Sequence, residues 1–433
     1  MNKHIVIIGN GISGITCART IRKLSDHRIT VISAESDHFF SRTALMYIYM
    51  GHMTYEHTKP YEDGFWRKNR IELLKKYVER VDTGSRRLHF SDGASLNYDT
   101  LVVATGSKYN KFGWPGQDLK GAQGMYSLQD LQAMETSTKN IQRAVIVGGG
   151  LIGVEMAEML LSRNIPVTFL VREKNFWDIV LPMEEAKLIG RHIAEHGIDL
   201  RLETELKEII GDEQGRVSAV ITNKGEKITC QFVGLTVGVS PNIGFLTNSG
   251  IETNRGVLVN EYFETSIPGV YAVGDCAQFR QARPGRRPIE QVWYTGRMHG
   301  ETVAHTICGD RHTYDPGLWF NSAKFFDIEY QTYGDVPNIP REGESSFYWE
   351  HPNGKLCLRI VYSKNDRTVL GFNVMGMRLR HRVCERWMNE GRTLEYVVEH
   401  LSEANFDPEF FKKHEPAILE YYHSQYQTEG VIV

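Results

Sequence analysis

The residues best suited to chemistry in this chain are glycines, which form two G-x-G-x-x-G patterns about 140 residues apart. Each pattern follows a short apolar run and precedes a helical pattern (HIVIIGNGISG and RAVIVGGGLIGVE), as dinucleotide-binding turns do. In such a turn the first glycine allows a tight bend, the second lets the backbone approach a pyrophosphate, and the third lets the helix pack on the strand. The two patterns, called the first and second fingerprints below, therefore predict two dinucleotide sites. Their glycines are Gly9, Gly11 and Gly14, and Gly148, Gly150 and Gly153.

Charged residues lie where each site would meet an adenosine ribose. Glu35 follows the predicted strand RITVIS, at the usual spacing for an acid that bonds the ribose hydroxyls, although a solvated acid at a strand end is the alternative. After the second fingerprint, Arg172 would pair with a 2′-phosphate and favours NADPH, whereas Glu173 favours a free ribose. The interpretation inclines towards NADPH and leaves NADH open. Two such sites are the layout of an enzyme that passes electrons between a nicotinamide and a bound flavin.

Length and composition set limits on the class of protein. The 433 residues suggest about three domains, and 41% hydrophobic with 24% charged residues is ordinary for a globular protein. A net charge of −3 argues against nucleic acid or an anionic membrane as the main partner. We find no signal pattern and no apolar stretch near the ~20 residues that span a bilayer, so we expect a cytoplasmic protein. Six cysteines, none in a C-x-x-C pair, are expected to be reduced thiols.

The chain divides into three predicted units. A strand, helix and strand cover residues 1–33, and the same pattern returns over residues 143–173. WPGQ and the region of 240–245 mark the passages between units. From about residue 315 the segments KFFDIEYQTYG, SSFYWE and KLCLRIVY predict an antiparallel sheet, followed by two helices. We therefore predict an α/β protein with two Rossmann-like three-layer domains, the second inserted in the first, and a C-terminal α+β domain. The predicted bounds are 1–113 with 245–318, 114–244, and 319–433.

Eight motifs, taken in order, resemble those of the flavoprotein pyridine-nucleotide oxidoreductases with two dinucleotide folds. They are GNGISG, ITVISAE, FFSRTAL, LVVATGS, GGGLIGVE, VGVSPN, GVYAVGDCA and NSAKFFDIEYQTYG, and they cover about residues 3–335. The nearest branch resembles the rubredoxin and ferredoxin reductases and the flavin domain of assimilatory nitrite reductases. The remaining residues match less clearly.

The resemblance implies that FAD binds at the first fingerprint, with Glu35 on its adenosine ribose. It places Asp275 on the ribityl or phosphate oxygens, although an acid at this position could instead cap a helix. It further implies that Arg42 lies beside the pyrophosphate and flavin and that Thr105 and Gly106 pack nearby.

On the nicotinamide side, the resemblance implies that the second fingerprint binds NAD(P)H. Glu155 falls where family members orient the carboxamide, although it could be an acid in a first helical turn, favoured by the helix dipole. Lys324 falls at the family's lysine position on the strand that crosses towards the flavin, with a solvated edge-strand lysine as the alternative.

One departure from the family decides the expected mechanism. Thr43 stands where the single-cysteine branches have a redox cysteine, and Cys17 is expected to be too far away to replace it. Since thiolate chemistry needs sulfur at the site, disulfide or peroxide reduction is not expected. Hydride from NAD(P)H would reach FAD, and the electrons would leave to a separate acceptor, foremost a small iron–sulfur protein. The alternatives are a peripheral quinone reductase and a flavin-bearing redox sensor or scaffold.

Two arginine clusters favour an acidic protein acceptor, although solvated surfaces would look the same. No metal site is predicted, because His52, His57, His299 and His305 lack ligand-type spacing with cysteines. A homodimer through the third domain is implied by the resemblance alone. The clusters are Arg280, Arg283, Arg286 and Arg287, and Arg378, Arg380, Arg382 and Arg386.

Overall fold

A five-stranded parallel sheet, the first sheet, forms around the N-terminal strand in the order β19-β7-β1-β2-β3. It is seen in a computed structural model that describes residues 2–407, 409–410 and 412–426. Continuous apolar runs such as IVII after His4 form it because both faces of a parallel sheet are covered. Its strands are β1 (His4–Ile8), β2 (Arg28–Ser33), β3 (Ile71–Lys75), β7 (Thr100–Val103) and β19 (Val270–Ala272).

Helices α1 (Ile12–Leu24) and α7 (Trp293–Ile307) pack against each other and share one buried core with this sheet. Strand β19 and helix α7 come from the chain after the second unit, so the first unit is built from two separated stretches. Smaller elements complete it: α3 (Asp63–Lys68), the antiparallel β4 (Val78–Asp82), β5 (Arg87–Phe90) and β6 (Ser95–Asn97), and the pair β18 (Val257–Val259) and β20 (Ala277–Phe279). Helix α2 (Leu45–Tyr49) comes from the same stretch of chain but packs into the core of the second unit.

A second five-stranded parallel sheet has the order β12-β11-β10-β16-β9. Its strands are β9 (Ala122–Gln123), β10 (Ala144–Val147), β11 (Val167–Leu170), β12 (Asp199–Arg201) and β16 (Phe232–Leu235). The accompanying elements are α4 (Leu128–Ser137), α5 (Leu151–Ser162), α6 (Met183–Glu195) and the antiparallel strands β13 (Leu206–Gly211), β14 (Val217–Thr222) and β15 (Lys227–Thr229).

The two passages between these units pair with each other. Strand β8 (Ser107–Tyr109) leaves the first unit, β17 (Val239–Pro241) returns to it, and the two form an antiparallel ribbon. The backbone N–H of Asn242 donates to the Gly106 carbonyl oxygen at 2.9 Å and continues this pairing. The second unit is thus inserted in the first, and the domain bounds near 113 and 245 stay a prediction.

The third sheet is antiparallel, in the order β21-β22-β25-β24-β23. It forms one core with the C-terminal helices around Trp387, and its Phe325 and Tyr330 join the core of the second unit. Its elements are β21 (Phe320–Phe325), β22 (Ile328–Gly334), β23 (Glu344–Glu350), β24 (Cys357–Ser363), β25 (Val369–Met375), α8 (His381–Asn389), α9 (Leu394–Glu399) and α10 (Glu415–Tyr426).

The segment KFFDIEYQTYG was predicted as one strand, and this prediction is wrong. The chain reverses at Phe326 and Asp327, so the segment contributes the end of β21 and the whole of β22. The turn contains neither glycine nor proline, which are the usual turn signals in a sequence. Phe326 adopts the left-handed conformation instead, with φ of 55°. Strand β25 lacked a prediction, whereas α8 and α9 lie within the two predicted helices.

Helix α6 of the second unit is fixed to the third sheet by a buried ion pair. The guanidinium of Arg359, on β24, donates from Nε to Oε1 of Glu185 at 2.7 Å and from Nη2 to Oε2 at 2.8 Å. Glu185 is fully buried, and the exposed Glu184 carboxylate also accepts from Arg359 at 2.6 Å. Burial raises the pKa of Glu185, and the guanidinium opposes that rise.

The architecture is the α/β fold that the sequence predicts, with two dinucleotide-type units and a C-terminal α+β unit. Among the residues that the structure describes, helices are too short or too polar to cross a bilayer.

Candidate functional site

The first fingerprint forms a tight turn that leaves open space at the start of α1. Gly9 has φ of 116°, and a Cβ atom there would lie 2.1 Å from the Ala104 carbonyl oxygen. A Cβ atom on Gly14 would lie 2.0 Å from the Gly9 carbonyl oxygen, so helix and turn are in direct backbone contact. At Gly11, by contrast, a Cβ atom would meet nothing within 4 Å. The helix therefore begins beside open space, and the unpaired N–H groups of a first turn attract anions.

The second fingerprint repeats this geometry at the start of α5. Gly148 has φ of 111°, and its Cβ atom would lie 2.7 Å from the Thr236 carbonyl oxygen. A Cβ atom on Gly153 would lie 2.6 Å from the Phe169 ring, whereas one on Gly150 would meet nothing within 4 Å. Both fingerprints thus place an open glycine at a helix start, between two glycines that packing requires.

Glu35 and Arg42, which the sequence assigns to one site, contact each other. Arg42 donates from Nη1 and Nη2 to the two carboxylate oxygens of Glu35 at 2.8 and 2.6 Å. The Leu128 backbone N–H, in the first turn of α4, donates to the same carboxylate at 2.9 Å. Burial lowers the pKa of Arg42, but Glu35 outweighs it and the net change is upward. Three donated hydrogen bonds therefore hold the Glu35 carboxylate just after the end of β2.

Tyr126 links this pair to the Gly274-Asp275 turn. The guanidinium of Arg42 lies 4.7 Å from the centre of the Tyr126 ring and donates to its carbonyl oxygen at 2.6 Å. The Tyr126 hydroxyl donates to Oδ2 of Asp275 at 3.1 Å and accepts from the Ser107 backbone N–H at 2.9 Å. Burial raises the pKa of Asp275, and its hydrogen bonds and the nearby Arg42 oppose that rise.

Thr105 and Gly106 lie at the end of β7, beside Tyr126. The Thr105 hydroxyl donates to the Asn242 carbonyl oxygen at 2.8 Å, which ties β7 to the returning chain. A Cβ atom on Gly106 would lie 2.7 Å from the Tyr126 hydroxyl oxygen. The structure therefore brings Glu35, Arg42, Asp275 and this turn into one connected group.

A buried histidine supports the Gly274-Asp275 turn from behind. The Gly274 backbone N–H donates to Nδ1 of His299 at 3.1 Å, and Nε2 of His299 faces the Glu290 carboxylate at 3.5 Å. Tyr314 donates to the same carboxylate at 2.7 Å, and Arg286 lies 3.5 Å away from it. Burial lowers the pKa of His299, so the ring is neutral and its Nδ1 accepts. This assignment fixes the tautomer with the proton on Nε2.

The first site fits a flavin dinucleotide. A pyrophosphate needs helix N–H groups with free space in front of them, which Gly11 provides. A ribose needs a fixed carboxylate at the end of the second strand, which Glu35 provides. The Gly274-Asp275 turn lies against α1, because a Cβ atom on Gly274 would be 2.4 Å from the Ser13 hydroxyl. On this turn, the Asp275 carboxylate adds oxygen atoms that can accept hydrogen bonds.

A group of three charged residues lies along α5. Lys324, on edge strand β21, donates to Oε1 of Glu158 at 2.8 Å, and Glu158 is one helical turn beyond Glu155. Glu155 is exposed as a residue, while protein atoms crowd around its carboxyl group. This crowding and the Glu158 charge raise the pKa of Glu155 to about 7, and the Lys324 ammonium lowers it. Lys324 is thus paired rather than freely solvated, and it balances two neighbouring carboxyl groups.

Arg172 and Glu173, the residues that bear on nucleotide choice, pair with each other. Nε of Arg172 lies 2.7 Å from Oε1 of Glu173 just after β11. The arginine side chain is largely exposed, while the glutamate is mostly covered. This bond uses only Nε of Arg172 and one oxygen of Glu173, so it selects neither NADH nor NADPH.

All six cysteines are free thiols, and burial raises the pKa of each one. Thr43 is exposed, and its hydroxyl lies 3.1 Å from that of Ser41. A protonated, covered thiol is a poor nucleophile. The structure therefore offers no thiolate beside either fingerprint.

The two arginine clusters carry less free charge than the sequence suggests. Ion pairs take up five of the eight side chains: Arg280 with Glu252, Arg283 with Asp315, Arg286 with Glu290, Arg378 with Glu329, and Arg386 with Glu403. Arg287, Arg380 and Arg382 are exposed and make no ion pair within the described part of the chain.

Sequence reasoning missed Tyr126, Glu158, His299 and Glu290 as parts of this site. Glu158 carried a usable signal, because it lies three residues after Glu155 on a predicted helix and so shares its face. Tyr126 directly precedes the capping box of α4, which marks a helix start but gives no reason for a tyrosine there. His299 was considered only as a metal ligand.

The chain is similar to known proteins in family, sequence and structure. The family model for pyridine nucleotide-disulphide oxidoreductases matches residues 3–300. A nitrite reductase [NAD(P)H] of Bacillus subtilis is 30% identical over 365 residues, which cover 82% of this chain and 44% of that protein. This chain thus spans less than half the length of that relative.

Two further similarities concern reductases of small electron carriers. A ferredoxin–NAD(P)+ reductase of Sphingomonas is 31% identical over 339 residues, covering 76% of this chain and 80% of that protein. The crystal structure of a ferredoxin reductase from Rhodopseudomonas palustris superposes with a TM-score of 0.78 at 22% identity, covering 87% of this chain and 91% of that one. The structural likeness shows a shared fold.

Proposed function

Because the chain belongs to the pyridine nucleotide-disulphide oxidoreductase family, we propose that it takes hydride from NAD(P)H and delivers electrons to a separate small iron–sulfur protein. The chain is an oxidoreductase of the class that uses FAD and a pyridine nucleotide. One observation carries the choice of acceptor: both fingerprints are open, yet five of the six thiols are buried, Cys308 is partly buried, and burial raises the pKa of all six. With no thiol relay inside the protein, the electrons must leave the bound cofactor directly.

At the first fingerprint, the N–H groups that begin α1 at Gly11 would hold the FAD pyrophosphate. Glu35 would accept from the adenosine ribose, and Arg42 would turn from Glu35 towards the phosphates. Asp275, with Thr105 and Gly106 beside it, would bond the ribityl chain. Bound FAD supplies the redox chemistry, since it takes up a hydride and releases electrons singly or in pairs.

At the second fingerprint, Gly150 and the start of α5 would hold the nicotinamide dinucleotide. Glu155 would accept a hydrogen bond from the carboxamide N–H group, and an ionised carboxylate accepts this bond more strongly than a protonated carboxyl group does. Because the pKa of Glu155 is about 7, its neighbours decide how much of the carboxyl group is ionised near neutral pH. The Lys324 ammonium stabilises the ionised form, and the Glu158 charge opposes it. Lys324 and Glu158 would therefore act as positioning residues.

The face beside the N-terminus of α7 is the proposed docking area for the acceptor. The guanidinium of Arg286 lies 5.0 Å from the Trp319 ring, and Phe320 packs on Tyr294 at 4.9 Å and on His381 at 4.6 Å. These contacts link the segment of the first arginine cluster to the start of α8 in the second, and the exposed Trp293 packs on Tyr294 beside them. Arg287, Arg380 and Arg382, which make no ion pair with another described residue, would meet the acidic surface of a small carrier. The Sphingomonas relative, a ferredoxin reductase by name, supports an acceptor of this class.

The proposal also covers the nucleotide, the location in the cell and the oligomeric state. NADPH is the favoured nucleotide on the charge of Arg172. A cytoplasmic location agrees with six free thiols, since disulfides are rare in that compartment. A homodimer through the third sheet and its helices rests on the family resemblance.

An anaerobic stopped-flow experiment tests the function. The FAD-loaded protein is mixed with NADH or NADPH, and the loss of visible flavin absorbance is followed. An oxidised ferredoxin or a soluble quinone is then added in a second mixing step. We expect fast bleaching by one nucleotide, and recovery of absorbance that is faster with ferredoxin than with quinone.

Glu155→Gln keeps the shape of the side chain and serves as the matched variant. Misplacing a bound reactant slows a reaction by roughly 10²-fold, so bleaching should slow to that extent while the variant retains its FAD. If neither nucleotide bleaches the wild-type flavin, the oxidoreductase function fails. Faster recovery with quinone would instead favour the quinone reductase.

A further inference from the structure

The last turn of α6 and the β21–β22 hairpin bring two histidines and an aspartate together. His192 and His196 are four residues apart on α6 and its C-cap, so their rings lie on one face of the helix. Asp327 lies in the hairpin turn, and its Oδ1 is 2.6 Å from Nε2 of His192 and 3.6 Å from Nε2 of His196. The three ligand-type atoms all lie within 4.8 Å of one another.

The side chain of His192 is buried without satisfied hydrogen bonds. It is 1% exposed, and neither ring nitrogen makes a hydrogen bond of acceptable geometry, although Nε2 is close to Asp327. Buried polar atoms are normally paired, so an orphaned ring that faces a carboxylate and a second imidazole calls for a ligand. His196 is held in place by Phe326, whose ring stacks on it at 4.2 Å, and by the His192 carbonyl oxygen, 2.9 Å from its Nδ1.

We propose that His192, His196 and Asp327 bind a zinc ion that joins α6 to the β21–β22 hairpin. Two imidazole nitrogens and one carboxylate oxygen are a ligand set that Zn²⁺ accepts, and two histidines four residues apart on a helix are a frequent way to present it. Water would fill the fourth position.

The charges around the cluster are compatible with a divalent cation. The Glu195 carboxylate lies 3.6 Å from Nδ1 of His192, where it would orient the ring as a ligand's outer partner. The Lys355 ammonium lies 3.8 Å from Asp327 and 3.9 Å from Glu195. Its side chain is partly exposed, so it can move into solvent when the cation enters.

The position of the cluster gives the ion a structural role. Asp327 is three residues beyond Lys324 along the same hairpin, so the ion would fix the strand that carries the lysine to Glu158. The buried pair of Arg359 and Glu185 already fixes the other end of α6 to the third sheet. The zinc ion would complete a two-point attachment between the second unit and that sheet.

Zinc titration of the full-length, FAD-loaded protein tests the proposal. Protein stripped with a chelator is titrated with Zn²⁺ against a chromophoric competitor, and Co²⁺ is used in parallel for its visible absorption. We expect one tight equivalent, a tetrahedral Co²⁺ spectrum and a higher melting temperature with zinc. His192 is left intact because its burial makes substitution a risk to folding.

The variants are His196→Gln and Asp327→Asn, with His312→Gln as the matched control. His312 belongs to a second cluster, with His305 and Asp310, which is more exposed than the proposed site. Loss of a residue that only orients a ligand weakens metal affinity by roughly 10–100-fold. Loss of a ligand itself, in His196→Gln or Asp327→Asn, should weaken zinc affinity by more than that, and His312→Gln should bind zinc as the wild type does. FAD content and the metal-free melting temperature report folding.

Three results would overturn the proposal: no tight equivalent in the wild type, a tight equivalent that persists in His196→Gln and Asp327→Asn, or its loss in His312→Gln alone. These readouts do not involve electron transfer, so they stand apart from the proposed function.

Discussion

The Nζ atom of Lys324 lies 2.8 Å from Oε1 of Glu158, and this contact connects the third sheet to the helix of the second fingerprint. It places a cation one helical turn from Glu155. The C-terminal unit therefore contributes to the electrostatics of a site that the two dinucleotide units otherwise form.

Replacing Lys324 with methionine should shift the pH dependence of flavin reduction upwards. Lys324 lowers the pKa of Glu155, so its loss should raise that pKa above about 7 and protonate more of the carboxyl at neutral pH. The rate of bleaching by NAD(P)H, measured by stopped flow across the pH range, should then need a higher pH to reach its maximum. Lys324→Arg keeps the charge and should keep the profile. If the pH profile of Lys324→Met is unchanged, Lys324 does not influence flavin reduction through Glu155.

Alanine substitutions at the first fingerprint should separate cofactor binding from folding. A Cβ atom at Gly11 enters open space, so Gly11→Ala should fold normally but retain less FAD, because the methyl group stands where a pyrophosphate would lie. At Gly14 the same atom meets the Gly9 carbonyl oxygen, and overpacking of this kind costs about 1–3 kcal/mol. Thermal melting and flavin content of the two variants check this. If the melting temperatures of Gly11→Ala and Gly14→Ala fall equally, the two positions do not differ in the space that they offer a Cβ atom.

Substitution of Arg172 and Glu173 should move nucleotide preference in opposite directions. Arg172→Gln removes the cation that would meet a 2′-phosphate, so the ratio of kcat/KM for NADPH to that for NADH should fall. Glu173→Gln frees Arg172 from its ion pair and removes a negative charge, so the same ratio should rise. Steady-state kinetics with both nucleotides measure it. Parallel changes in the two variants would place both residues outside the site.

Removal of Arg359 should destabilise the protein strongly. Arg359→Met leaves the Glu185 carboxylate buried without its partner, and breaking a buried pair in this way costs about 3–5 kcal/mol. Arg359→Met combined with Glu185→Met removes both charges and should recover most of the loss. Urea unfolding followed by tryptophan fluorescence compares the two. A double variant as unstable as the single one would show that packing, and not the unpaired charge, sets the cost.

Acid should loosen the Gly274-Asp275 turn through His299. Burial lowers the pKa of His299 in the folded chain, so its contribution to stability is present above the unfolded value of about 6.5 and is lost as the pH falls below it. A protonated ring can no longer accept from the Gly274 N–H group. Flavin release should therefore increase in mild acid. His299→Asn keeps an acceptor that does not titrate, and release from it should depend less on pH.

The parallel sheets and both fingerprints could be predicted from sequence because their signals are local. A continuous apolar run, a glycine turn and a helix lie within a few residues of one another around Gly9 and Gly148. The antiparallel turn at Phe326 could not be predicted, since a bulky residue takes the left-handed conformation only where tertiary contacts hold it.

The partners inside the site were harder to predict than the site itself. Arg42 with Tyr126, and Lys324 with Glu158, are pairs whose members are 84 and 166 positions apart in sequence. A single sequence carries no periodicity or spacing at such distances. Free charge was overestimated for the same reason, because the acids that neutralise Arg280 and Arg283 lie elsewhere in the chain.

The separation of these partners also has a consequence for biosynthesis. The first fingerprint leaves the ribosome before these partners, since Asp275 lies 149 positions beyond the Tyr126 hydroxyl that bonds it and Lys324 is later still. Loop closure over such spans slows folding, so the Gly-rich turns wait for their partners during translation. A nascent chain that ends before Lys324 lacks the charge that balances Glu155 and Glu158. Flavin capture and nicotinamide specificity should accordingly mature at different stages of synthesis.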